Sequence, residues 1–145
     1  MLPHHALGPA VGLCANLAKT RMESRLAKYG VTPVQAHVLL YLFHHGGQVS
    51  QSEITAFLKV KPPTANGVLD RMEEKELVRR SISRADARQK LITLTEKGQA
   101  QQELFRQVFA SSEEAMVRGL SPRELETFRA LLDHMISNLE EDGVC

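Results

Sequence analysis

Hydrophobic positions recur at helical spacing along most of the chain, and polar caps divide them into segments. A first helix is predicted from near Pro9 to Lys28, with Gly30 as its stop. Thr32-Pro33-Val34-Gln35 reads as a capping box with proline at the first helical position. The helix it opens carries Val38, Leu39, Leu40, Leu42 and Phe43, so it is apolar on most sides and central; Gly46-Gly47 ends it. Ser50-Gln51-Ser52-Glu53 is a second capping box, and Ile54, Phe57 and Leu58 give the short helix after it one buried stripe. Val60-Lys61-Pro62-Pro63 breaks that helix and starts another, since proline is tolerated in a first turn but not in an interior. In the new helix Ala65, Val68, Leu69 and Met72 share one face by the i, i+3, i+4, i+7 rule. Pro63, Gly67, Asp70 and Arg71 project from the opposite side, with Thr64 and Asn66 on the flanks. Two helices joined by a tight turn, the second presenting small polar groups at its start, describe a helix-turn-helix.

Val78 to Ile82 and Lys90 to Leu94 are β-prone runs joined by a polar, basic loop, and together predict a hairpin. A hairpin directly after a recognition helix is a wing. Thr95 caps a long helix containing Leu104, Phe105, Val108, Phe109 and Met116. A third capping box, Ser121-Pro122-Arg123-Glu124, opens a last helix. There Leu125, Phe128, Leu132, Met135 and Leu139 are spaced 3, 4, 3, 4, the seam of a coiled-coil-like contact with another helix.

Composition narrows the function. The net charge of +1 conceals a basic block: Lys59 to Lys97 holds ten Lys or Arg against six Asp or Glu, inside a mildly acidic remainder. That is the footprint of a surface facing a polyanion. With only seven aromatic residues and no Trp, the core is built from aliphatic side chains, which suits helix packing. Cys14 and Cys145 have neither disulfide-framework nor metal-ligand spacing, which fits a reducing, cytoplasmic setting. Gly8, Pro9 and Gly12 interrupt the apolar N-terminal stretch, so neither a signal peptide nor a membrane span is expected. No G-x-S-x-G, phosphate-binding glycine loop or converging carboxylates occur, so the chain does not read as an enzyme, and no cofactor is expected.

The stretch Leu77-Val78-Arg79-Arg80, Asp86-Ala87-Arg88 and Leu94-Thr95-Glu96-Lys97-Gly98 resembles the wing region of the MarR family of multiple-antibiotic-resistance-type regulators. Thr32-Pro33, Pro62-Pro63-Thr64 and Asp70-Arg71-Met72-Glu73 resemble the same family at its central and recognition helices. The resemblance implies a mainly α fold with a small β-hairpin wing, a winged helix-turn-helix flanked by N- and C-terminal dimerisation helices. On that reading residues 1–30 form an N-terminal dimerisation helix, 31–98 the DNA-binding domain and 99–145 the C-terminal dimerisation helices, within one compact chain. It also implies a repressor that binds double-stranded DNA as a homodimer and responds to small aromatic or other anionic ligands, or to oxidation. One departure stands out. Relatives end the recognition helix in Lys-Gly-Leu, whereas Lys75-Glu76-Leu77 stands here. Glycine adopts the left-handed cap at little cost, so Glu76 either takes that conformation at a penalty or ends the helix differently.

For DNA binding the candidates are Lys61, Pro63, Thr64, Asn66, Gly67 and Arg71 on the helix and Arg84, Asp86 and Arg88 on the wing. Thr64 and Asn66 bring short hydrogen-bonding side chains near the helix N-terminus, and Pro63 an apolar contact for thymine methyls. Gly67 costs a helix about 1 kcal/mol relative to alanine, and reads either as a close backbone approach to DNA or as a weakly packed turn. Arg84 and Arg88 suit phosphates or a narrow minor groove, with Asp86 orienting Arg88 by family resemblance. Arg21, Tyr29 and His37 are candidate lining residues of an effector cleft, and Leu125, Phe128, Leu132, Met135 and Leu139 of the dimer interface. Cys14 lies somewhat like the peroxide-sensing cysteine of the OhrR branch, but without its accompanying tyrosines; a buried structural cysteine is expected, a redox sensor being the alternative. The six histidines include no i, i+4 pair, so no metal site is expected. A different class, a winged-helix protein-interaction module, would call for an exposed apolar patch where Lys61, Arg71, Arg84 and Arg88 stand.

Overall fold

A computed structural model of the chain describes residues 5–143. Contacts divide the chain after Ser112, into units Met1–Ser112 and Glu113–Cys145. Cys145 lies outside the described residues.

In the first unit α1 (Leu7–Leu26) runs into a 3-10 turn, Ala27–Tyr29, closed by Gly30 in the left-handed region at φ +69°. The helix starts two residues ahead of Pro9 because that proline still falls within the first turn, where no intrahelical N–H is needed. Thr32 caps α2 (Pro33–His44) with a complete box: its Oγ1 accepts from Gln35 N at 3.2 Å, and Gln35 Oε1 accepts from Thr32 N at 3.3 Å.

The second box is only half formed. Ser50 Oγ accepts from Glu53 N at 3.1 Å at the start of α3 (Gln51–Leu58). The Glu53 carboxylate instead accepts from the Tyr41 hydroxyl at 2.7 Å, which holds the phenol pKa above its ordinary value. Phe57 also departs from the expected stripe. Ile54 alone fills the fully buried position of this short helix, and the Phe57 ring lies partly exposed, stacked 4.3 Å from Tyr41.

Next, α4 (Pro62–Glu74) buries Ala65, Leu69 and Met72 completely and Val68 in part, the face expected from its spacing. Strands β2 (Val78–Ile82) and β3 (Lys90–Leu94) form the hairpin. A third strand, β1 (Gln48–Ser50), pairs with β3 so that the sheet order is β1-β3-β2, all antiparallel. The sequence did not predict β1, because three residues are too few to display the two-residue alternation of a strand. Helix α5 (Glu96–Val117) then returns across the core, with Phe105 fully buried. Leu26, Leu39, Leu42, Ile54, Met72 and Phe105 share one solvent-free cluster, so the helices flanking the hairpin and helix-turn-helix contribute to the same core.

Cys14 is exposed, which corrects the expected buried role: within its unit, nothing covers the face of α1 that carries it. In the second unit Ser121 and Glu124 form a complete capping box on α6 (Pro122–Glu141). No residue of that helix is buried. Phe128 and Leu139 are about 60% exposed, while Leu125, Leu132 and Met135 are half-buried.

Candidate nucleic-acid interface

The turn between α3 and α4 is made by Lys59 in the left-handed conformation at φ 55°, followed by Lys61 as the N-cap of α4. No side chain caps the helix there, although Thr64 N and Ala65 N donate to the Lys61 carbonyl at 3.0 and 3.2 Å. Lys61, Pro62, Pro63 and Thr64 are all exposed, so the positive end of the helix dipole opens to solvent beside a lysine. Gly67 is partly buried with open space where a Cβ would stand, and Arg71 is exposed on the same side.

Asn66 is half-buried, its oxygen engaged from two directions. It accepts from Gln51 Nε2 of α3 at 3.2 Å and from Arg80 of β2 at 2.8 Å. The Arg80 side chain is 18% exposed, and its guanidinium also binds Asp70 and, at 3.1 Å, Glu73. Desolvation opposes its charge, but these two carboxylates outweigh it and hold the pKa above the ordinary arginine value. One side chain of β2 thus fastens three residues of α4. Neither Arg80 nor Gln51 was singled out from the sequence. The signal lay in strand alternation: Val78 is buried, so Arg80, two residues on, faces the same way and needs partners.

In the wing, Ser83 is buried and its Oγ accepts from Ala85 N at 3.2 Å and Asp86 N at 3.3 Å. Asp86 Oδ1 accepts from Arg88 N at 3.0 Å and Arg88 Nε at 3.3 Å. The Arg88 side chain is 93% exposed, so this ion pair contributes little stability; its use is to shape the loop and aim the guanidinium outward. Arg84 is exposed as well.

The wing is set by an interlock behind it. Leu77 N donates to Met72 O at 3.0 Å and Glu76 N to Glu73 O at 2.9 Å, the paired bonds of a Schellman ending. Glu76 takes the left-handed place at φ 61°. The Thr95 hydroxyl accepts from Gly98 N at 3.0 Å, and Lys97 Nζ donates to Lys75 O at 2.8 Å. Lys97, with Thr95, whose hydroxyl also donates to the Glu76 carbonyl at 2.7 Å, therefore docks the start of α5 onto the end of α4.

The three candidate effector residues all reach α5. Arg21 donates to Ser112 Oγ at 2.7 Å, Tyr29 meets Phe105 edge-on at 5.8 Å, and His37 stacks on Phe109 at 4.3 Å. Partial burial pushes the His37 pKa below the usual histidine range. Only Tyr29 of the three lines the adjoining cleft, about 380 Å³, together with Arg25, Lys28, Leu104 and Val108.

The sequence profile of the MarR family matches residues 29–89, the stretch from the end of the first helix through the wing. The structure of S. aureus MepR in its DNA-binding conformation is 30% identical, with a TM-score of 0.81 over 92% of this chain and 98% of that one. The chain belongs to the MarR family. Its winged-helix fold superposes also on the S. aureus MepR–DNA complex, at a TM-score of 0.86 and 28% identity over 95% and 99% of the two chains. Among curated relatives, the HTH-type transcriptional repressor MdtR of Bacillus subtilis (strain 168) is 36% identical over 100 residues. Those residues are 69% of this chain but only 62% of MdtR, so the match spans less than two thirds of that relative.

Proposed function

We propose that this MarR-family chain is a transcriptional repressor that binds double-stranded DNA as a homodimer. The observation carrying this reading is the exposed start of α4, with Lys61, Pro63 and Thr64, held by Arg80 to a hairpin whose loop turns Arg84 and Arg88 to solvent. Short polar groups at a helix N-terminus suit base edges in a major groove, and a basic loop beside them suits phosphates. Two copies related by a twofold axis would meet half-sites about 10 bp apart, so the operator is an imperfect palindrome. Residues 31–98 do the reading on this view, with segments 1–30 and 99–145 joining the two copies.

The dimer reading rests on two uncovered apolar faces. Leu7, Leu13 and Leu17 of α1 are each at least 60% exposed, and α6 leaves its stripe unburied. Contiguous apolar surface of this kind marks an interface. The cleft bearing Tyr29, Arg25 and Lys28 suits a small aromatic or anionic effector, its two cations supplying the charge and its ring a stacking face. Fluorescence anisotropy with labelled duplexes from the source genome tests the central reading. Saturable binding to a palindromic duplex in preference to random duplex is expected, and indifference to sequence would count against it.

A further inference from the structure

Accepting the DNA-binding reading, on which this rests, we infer that Asn66 reads hydrogen-bond acceptor edges of the bases and prefers guanine to adenine, because Arg80 and Gln51 fix which end of its amide is free. An amide oxygen has two lone pairs. Here Gln51 Nε2 takes one at 3.2 Å and the Arg80 guanidinium the other at 2.8 Å. Reversing the amide would turn its NH₂ against a guanidinium, which has no acceptor and does not lose its proton. Arg80 is itself held by Asp70 and Glu73, so it is not free to follow. Among the described residues the Asn66 nitrogen donates to no protein group, and it is not one of the buried polar atoms without a partner. What Asn66 offers a ligand is therefore a donor alone.

That restriction selects among bases. The familiar asparagine–adenine pair needs both ends of the amide, the oxygen accepting from N6 and the nitrogen donating to N7. With the oxygen taken, the adenine amino group finds no acceptor. Guanine presents N7 and O6, two adjacent acceptors, and cytosine presents the N4 amino group, which a donor repels. Guanine is then the favoured partner, adenine weaker and cytosine excluded.

The test is enrichment of a random duplex library on the wild-type protein. Anisotropy then follows on duplexes substituted one base at a time, with N66A, N66D and R80Q assayed beside the wild type and their thermal midpoints recorded. One position of each half-site is expected to prefer guanine over adenine by about tenfold, the lower part of the range for a base contact. N66A should flatten that position and leave the others unchanged. N66D, of the same shape, turns an acceptor outward and should move the preference to cytosine. R80Q, by freeing one lone pair of that oxygen, should admit adenine at the same position while weakening all binding. Adenine preferred by the wild type at the N66A-sensitive position would overturn the inference. So would N66A weakening every duplex equally, as a phosphate contact would, or changing no position. Failure of the wild type to enrich any duplex would instead overturn the DNA-binding reading itself.

Discussion

The Thr95 hydroxyl donates a 2.7 Å hydrogen bond to the carbonyl of Glu76, the residue that ends α4 in the left-handed conformation. That bond, the Lys97 bond to Lys75 O and the close approach of Gly98 fix where the wing begins relative to the recognition helix.

A Cβ on residue 98 would lie 2.4 Å from the Leu77 carbonyl oxygen and 2.8 Å from Leu94 Cδ1. The first neighbour is backbone and cannot turn aside. Gly98→Ala is therefore expected to destabilise by about 1–3 kcal/mol, the range for overpacking, read as a lower urea midpoint with unchanged slope. An unchanged midpoint would mean that the interlock is loose.

Glu76 makes the opposite case. A non-glycine residue in the left-handed region costs about 1–2 kcal/mol, and glycine there gives some of this back as unfolded-state entropy. Glu76→Gly should raise stability by roughly 0.5–1 kcal/mol. A loss on urea unfolding would show that the Glu76 backbone is not strained.

Burial of the His37 ring against Phe109 lowers its pKa, so the unfolded chain takes up this proton first as the pH falls. The stability due to this group is complete above about pH 6.5, the ordinary histidine value. It declines as the pH falls from there toward the folded pKa. Unfolding from pH 7.5 to 5 should show a decline that His37→Phe reduces. An identical decline in the variant would remove His37 as a source.

Leu132 is half-buried on α6 and central to the stripe from Leu125 to Leu139. Leu132→Glu should convert the proposed dimer to monomer in light scattering while far-ultraviolet circular dichroism is kept. A variant that stays dimeric and binds DNA normally would rule out that stripe as the contact.

Arg88→Ala removes a charge that is almost wholly in solvent. It should weaken operator and random duplex alike and reduce the salt dependence by about one unit of slope if one phosphate contact is lost. Selective loss of operator binding would instead make the wing a reader of sequence or groove width.

Features that a few neighbouring residues decide were legible in the sequence. The Thr32–Gln35 and Ser121–Glu124 boxes, the break at Pro62 and the buried face Ala65, Leu69, Met72 all appear where spacing placed them. Where a distant group competes, the local rule gave way. Tyr41, twelve residues away, takes the Glu53 carboxylate from its capping box, and it also draws Phe57 out of the stripe. Cys14, expected to be a buried structural cysteine, is exposed, as are Leu13 and Leu17 beside it on α1. The candidate DNA-facing side chains are legible from residue type and position; the residue behind them, Arg80, is not, because its partners are assembled only when β2 folds against α4.

Because a single guanidinium on β2 holds Asn66, Asp70 and Glu73 of α4, the two elements form one mechanical part. A designer who grafts a new recognition helix onto this scaffold, and keeps the native wing, would strand Arg80 without its anchors and leave its half-buried charge uncompensated. Changes of operator preference should then come in linked sets spanning both elements, with double-mutant cycles across residues 66, 70, 73 and 80 departing strongly from additivity.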